Sequence, residues 1–238
     1  MVSQLAQLVS FIFHPLLMPT ALFALIFFFI PRLTRPFGEA NLLLIFIITC
    51  CIPLISVLAL RFAYLILIFK MWRLKLAQPL NNQQALLRLR DNISMVNNGS
   101  LISSYNMEIR KERILPFVLI TLYYGVITLL MAYKTPFPPI FAMIMLVVTV
   151  ISLAVTIITV FWKVSVHSAA VSAVFGFTLG VIYTGYQIEL IGILCLVSLV
   201  VGLVMSARLF LNVHSPAQVW VGAAIGIMIS FTSVYFYL

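Results

Sequence analysis

Residues 139–162 read PIFAMIMLVVTVISLAVTIITVFW, an uncharged run lying between Lys134 and Lys163. An α-helix rises ~1.5 Å per residue, so about 20 apolar residues match the ~30 Å hydrocarbon core of a bilayer. The polar side chains in the run, Thr149, Ser152, Thr156 and Thr159, carry hydroxyls that can bond to the helix's own carbonyls. Nothing in the run needs water, and it is predicted to cross a membrane as a helix.

Working outward, the same pattern recurs. Upstream, the five residues 134–138 join this run to another apolar stretch at 114–133, too short a link for anything but an antiparallel hairpin. Downstream come stretches at 168–186, 189–205 and 216–238. Towards the N-terminus lie 8–30, with His14-Pro15 and Pro19 predicting a broken entry, and 42–60, with Pro53 inside it. The expectation is an all-α, polytopic transmembrane helical bundle of about seven spans. Residues 1–7 carry no charged side chain and the first apolar run continues past Ile26, so that segment reads as a retained span rather than a cleaved signal.

Composition agrees, because 64% of the 238 residues are hydrophobic and 8% are charged. A chain of this length made of such spans has no room for a sizeable soluble domain, so residues 1–238 are read as one integral membrane domain. Residues 70–113 form its long polar stretch, predicted to be a loop or an amphipathic segment on a lipid surface. The formal net charge is +9, but Lys and Arg cluster at span ends rather than on a soluble surface interleaved with aromatics. The expected partners are therefore the bilayer and an anionic lipid, and no nucleic acid. Oligomeric state does not follow from these patterns.

Cys50, Cys51 and Cys195 fall inside spans and read as packing residues. The five acids, Glu39, Asp91, Glu108, Glu112 and Glu189, are too scattered to build a hard-cation site, so neither a metal nor a cofactor is expected.

Each span reverses the side of the membrane. The segment before the third span, the end of the fourth and the end of the sixth thus fall on one face. That face collects Arg110, Lys111, Arg113, Lys163, Ser165, His167, Arg208 and His214. Guanidinium and ammonium groups with few acids nearby suit an oxyanion such as phosphate. Two helices start there, one after His167 and one at Ser215-Pro216, and would turn their N–H groups towards the same anion. In such a site one histidine can attack phosphorus while a second donates a proton to the departing alkoxide. A haem held by His167 and His214 is the competing use of the same pair. His14, beside Pro15, reads as an interfacial residue.

These residues resemble the type 2 phosphatidic acid phosphatases, which share their fold with the vanadium haloperoxidases. The likeness covers somewhat more than the C-terminal half of the chain and rests on three short motifs. Arg208, His214 and Gln218 stand at the spacing of the family's third motif, Arg, five residues, His, three residues, Asp. The resemblance implies that Arg208 binds phosphate and that His214 is the nucleophile, with Gln218 in the place of the supporting aspartate. Gly222 and Gly226 match the small-residue helix that follows. Ser165-Val166-His167 is similar to the second motif, Ser-Gly-His, with Val166 replacing the glycine; it implies Ser165 as a phosphate ligand and His167 as the general acid. The first motif is the poorest match, and its candidate phosphate ligands are Arg113 with Lys111 or Arg110, or Lys163 in their place.

The implied activity is metal-independent hydrolysis of a lipid phosphate through a phosphohistidine. The implied substrates are phosphatidic acid, phosphatidylglycerophosphate, undecaprenyl diphosphate or a lipid A phosphate. Gln218 and Val166 keep a second expectation open, a catalytically impaired relative that binds or moves phospholipids. An inner-membrane location is expected. More Lys and Arg fall on the motif face than on the other, where Arg32, Arg35 and Lys134 lie, which argues for the cytoplasm. Several of those cations are candidate ligands, however, and the resemblance implies the outer face, so the expectation leans to the extracytoplasmic side.

Overall fold

A computed structural model describes residues 2–38, 41–56, 58, 59, 62 and 110–238. The expected polar segment 70–113 lies outside the described residues apart from the backbone of its last four. Those four open α4 (Arg110–Tyr133), which therefore starts a full turn before the apolar run.

α4 pairs with α5 (Pro139–Phe161) as the short link requires. Two hydroxyl pairs cross their seam, Thr121 with Thr156 at 3.1 Å and Thr128 with Thr149 at 2.9 Å. Thr128, Thr149 and Thr156 each also bond the carbonyl four residues back. Lipid offers helices no hydrophobic incentive to associate, so such pairs and close packing hold the hairpin.

α6 (Val166–Tyr183), α7 (Ile191–Phe210) and α8 (Pro216–Tyr237) follow. α6 and α8 pack backbone to backbone. A Cβ on Gly222 would sit 2.5 Å from the Ser165 carbonyl oxygen, and one on Gly226 would enter the Ala169 backbone. From the other side, Gly176 faces the Ile227 backbone and Gly180 the Val234 side chain. The small-residue spacing read from α8 has a matching pair on α6.

The first apolar stretch is two short helices, α1 (Val2–Ile12) and α2 (Met18–Phe29), joined through the 3-10 turn Pro15–Leu17. At ~1.5 Å per residue neither half reaches across ~30 Å. The break falls at His14-Pro15, as the prolines predict, and the helix before it starts at Val2 rather than at Leu8. α1 lies against α7, and α2 enters the core, where Phe23 and Phe27 meet Phe141 edge-on at 5.2 and 5.6 Å.

Of the expected second span, 42–60, Leu42–Ser56 is described as one apolar helix. It begins as α3 (Leu42–Phe46) and widens into a π-turn over Ile47–Cys51. Pro53 has no N–H for the Thr49 carbonyl, and the π-turn sends the Ile52 N–H to Ile47 instead of Ile48. The two abandoned carbonyls are taken by tyrosines from α4: Tyr123 Oη donates to Ile48 at 2.6 Å and Tyr124 Oη to Thr49 at 2.8 Å.

Among the described residues six stretches are long and apolar enough to cross a bilayer, the expected span 42–60 runs into residues outside them, and no strand occurs. The outward faces are apolar: Leu122, Val126 and Leu129 on α4 and Leu196, Leu199 and Leu203 on α7 are all exposed. The protein is an all-α, multi-pass membrane bundle whose outer surface suits lipid.

Candidate functional site

α7 carries its cation inside the membrane-length helix. The expected span stopped at Met205, but α7 runs to Phe210 and holds Arg208 in its last turn, buried, where a positive charge complements the helix dipole. Asn212 then turns the chain with a left-handed φ of 53°, a conformation that Asn tolerates at a helix end. The turn delivers His214 immediately before α8.

Ser215 caps α8. Its Oγ accepts the Gln218 N–H at 3.4 Å, while Gln218 Oε1 accepts the Ser215 N–H at 3.2 Å, a reciprocal capping box. The same Oε1 lies 3.0 Å from His214 Nδ1. A backbone N–H can only donate, so the amide oxygen is the atom that faces both groups. His214 Nδ1 therefore carries the proton, and the ring's lone pair sits on Nε2.

His167 stands in the first turn of α6, with Nε2 3.2 Å from the carbonyl oxygen of Ser10. That carbonyl belongs to the last turn of α1, where the helix break leaves acceptors without helical donors. A carbonyl only accepts, so His167 Nε2 donates, and Nδ1 is the position at which a second proton can be taken.

A cavity of about 620 Å³ connects these groups. Ser10, His14, His167, Arg208 and His214 line it together. Its apolar wall includes Leu22, Ile120, Val148, Ile151 and Val155. Val148 stands about 20 Å along α5 from Phe161, so the cavity reaches from the polar cluster well into the helix bundle. Arg208, His14 and His214 are all within electrostatic reach of His167. Among the described residues, no three His, Cys, Asp or Glu side chains are grouped to hold a metal ion.

The expected site residues divide into three groups. His167, Arg208 and His214 do converge on the cavity, with Gln218 behind His214. Ser165, expected to bind phosphate, is instead fully buried as the N-cap of α6. Its Oγ accepts from the Ser168 N–H and hydroxyl, and its own N–H donates to the Gln218 carbonyl at 3.1 Å. The close α6–α8 packing covers it, and it is not among the cavity-lining residues. Lys163, in the connection 162–165, also does not line the cavity. Lys111 and Arg113 stand on the first turn of α4, but their side chains lie outside the described residues.

Val166, where the second motif has glycine, is the first residue of α6 and follows a cap in ordinary extended conformation. No glycine-only backbone angle occurs there.

His14, expected at the interface, is exposed and also lines the cavity, with its ring centroid 5.7 Å from that of His167, edge to face. The signal that pointed to it is the pair of prolines, Pro15 and Pro19, which predicted the helix break but not what the break brings inward.

Fold and cavity together define a multi-pass membrane protein with a pocket lined by histidine and arginine. No family model matches the chain, nor does any curated protein or solved structure.

Proposed function

We propose that the chain is a metal-independent lipid phosphate phosphatase working through a phosphohistidine. His214 Nε2 attacks phosphorus, a P–N bond forms, and the P–O bond to the lipid breaks. His167, carrying protons on both nitrogens, gives one to the departing alkoxide. It then takes a proton from the water that cleaves the P–N bond, releasing phosphate and restoring both rings. Arg208 holds the phosphoryl oxygens.

The observation that carries this reading is the His214–Gln218 contact, which puts the lone pair of His214 on Nε2 in a cavity shared with His167 and Arg208. The apolar wall favours an amphiphile over a soluble phosphate. The candidate substrates are phosphatidic acid, phosphatidylglycerophosphate, undecaprenyl diphosphate and a lipid A phosphate, met from the extracytoplasmic face of an inner membrane.

One observation favours a second reading, a relative that binds or moves phospholipids with little turnover. Gln218 orients His214 but brings no charge to support it when phosphorylated. In a serine protease, the comparable Asp to Asn change costs ~10⁴ in rate, though chiefly through the wrong tautomer. The tautomer here is the productive one.

The deciding experiment is phosphate release from a panel of lipid phosphates by detergent-purified protein in EDTA. Release that disappears in His214→Ala supports the phosphatase. Binding of the same lipids without release from any of them supports the second reading instead.

A further inference from the structure

None of the three motifs contains His14, yet the broken helix brings it into the cavity. We propose that His14 is a fixed hydrogen-bond donor to the anion held there, an inference that rests on the phosphate-site reading above.

The backbone dictates which nitrogen donates. Pro15 opens the 3-10 turn and has no N–H, so Leu16 is the first residue there whose N–H needs an acceptor. His14 Nδ1 supplies it at 3.3 Å. An N–H pointing at Nδ1 requires a lone pair there, so the ring's proton sits on Nε2. His14 is exposed, it lines the cavity, and its Nε2–H has no hydrogen-bond partner among the described residues.

His14 and His167 stand edge to face but are prepared for different work. The carbonyl partner of His167 is compatible with a second proton on the ring, whereas the N–H partner of His14 opposes one. His167 is thus suited to proton transfer and His14 to donation alone. A donor that never gives up its proton adds to anion binding without competing in the acid step. Between them the three rings present a nucleophilic nitrogen (His214), a proton carrier (His167) and a fixed donor (His14). The first motif, whose cations would otherwise fill this binding role, is the part of the sequence that matches worst.

The test separates the donor from the helix cap, because asparagine and glutamine each mimic one ring nitrogen. H14N keeps an acceptor near the Nδ1 position and a residue favoured for capping, but removes the donor. H14Q places an amide donor near Nε2. The probe is inorganic phosphate, titrated calorimetrically into detergent-purified full-length protein, with the unfolding temperature measured alongside.

H14N is expected to unfold as wild type does and to bind phosphate roughly ten- to a hundredfold more weakly, the usual cost of a lost hydrogen bond to a charged group. H14Q should recover most of that loss. Wild-type affinity in H14N would overturn the role of His14 while leaving the phosphate site intact. If H14N does not fold, H14Q against H14L decides: phosphate held by H14Q and lost in H14L supports the donor, and equal binding overturns it. Should wild type bind neither inorganic phosphate nor a short-chain lipid phosphate, the site reading falls and the role of His14 falls with it.

Discussion

Gln218 holds His214 through the same amide oxygen, at 3.0 Å, that completes the helix cap with Ser215. Turning the amide over would set its NH₂ against the Ser215 N–H, so the cap fixes the orientation and the orientation fixes the histidine tautomer. What the glutamine lacks is charge.

That deficit yields the first prediction. Gln218→Glu keeps the length, the capping geometry and the acceptor, and adds a negative charge at the first turn of α8, where the helix dipole favours one. Phosphate release should rise by at least about tenfold, read as the initial rate on the best lipid of the panel, because the charge supports the cationic ring formed during transfer. A rate equal to or below wild type would show that charge at this position does not limit turnover.

The α6–α8 contact gives the second. Gly222→Ala places a methyl 2.5 Å from the Ser165 carbonyl, where backbone rather than a flexible side chain must yield. A loss of about 1–3 kcal/mol is expected, seen as a lower unfolding temperature in detergent. The cap of α6 and the first turn of α8 are joined there by the Ser165–Gln218 backbone bond, so activity should fall as well. Gly202→Ala, with open space around it, is the control and should leave both unchanged or raise stability slightly.

A third concerns the π-turn. Tyr124→Phe removes the donor to the Thr49 carbonyl that Pro53 leaves without a helical partner. A buried acceptor so abandoned costs about 1–3 kcal/mol. Thermal unfolding should shift down accordingly, with Leu42–Ser56 the first region to gain hydrogen exchange. Wild-type stability and exchange would mean that the tyrosine hydroxyl contributes nothing there.

The last concerns sidedness. α8 is 22 residues long, about 33 Å, enough to carry the chain end across the bilayer from the cavity. With the cavity facing outward, a green fluorescent protein fused after Leu238 should fluoresce in the cytoplasm, and an alkaline phosphatase fused there should be inactive. The opposite pair of results would turn the cavity to the cytoplasm.

Several features were legible because they depend on spacing along one helix or on span count. The membrane bundle is written in uncharged runs of bilayer length. The gathering of His167, Arg208 and His214 follows from parity of crossings, and the His214–Gln218 contact follows from an i, i+4 offset at a helix start. The Ser215–Gln218 capping box is legible as well, as Ser and Gln three residues apart before an apolar run. The π-turn at Ile47–Cys51 was not legible, because the hydropathy of the 42–60 stretch says nothing of how Pro53 reroutes the helix hydrogen bonds.

The sequence by itself determined the solvent, the helices and the side on which the chemistry-bearing residues collect, because hydrophobic length and turn residues act locally. Only the tertiary structure decided which of those residues face the cavity. Ser165 left the expected site because the glycine face of α8 packs over its backbone and turns its hydroxyl into a cap. His14 joined it because a break between two short helices, folded against α7, both exposes a terminal carbonyl for His167 and aims a capped imidazole inward. Those outcomes depend on contacts between residues more than 50 positions apart in the chain, where neither periodicity nor motif spacing carries information.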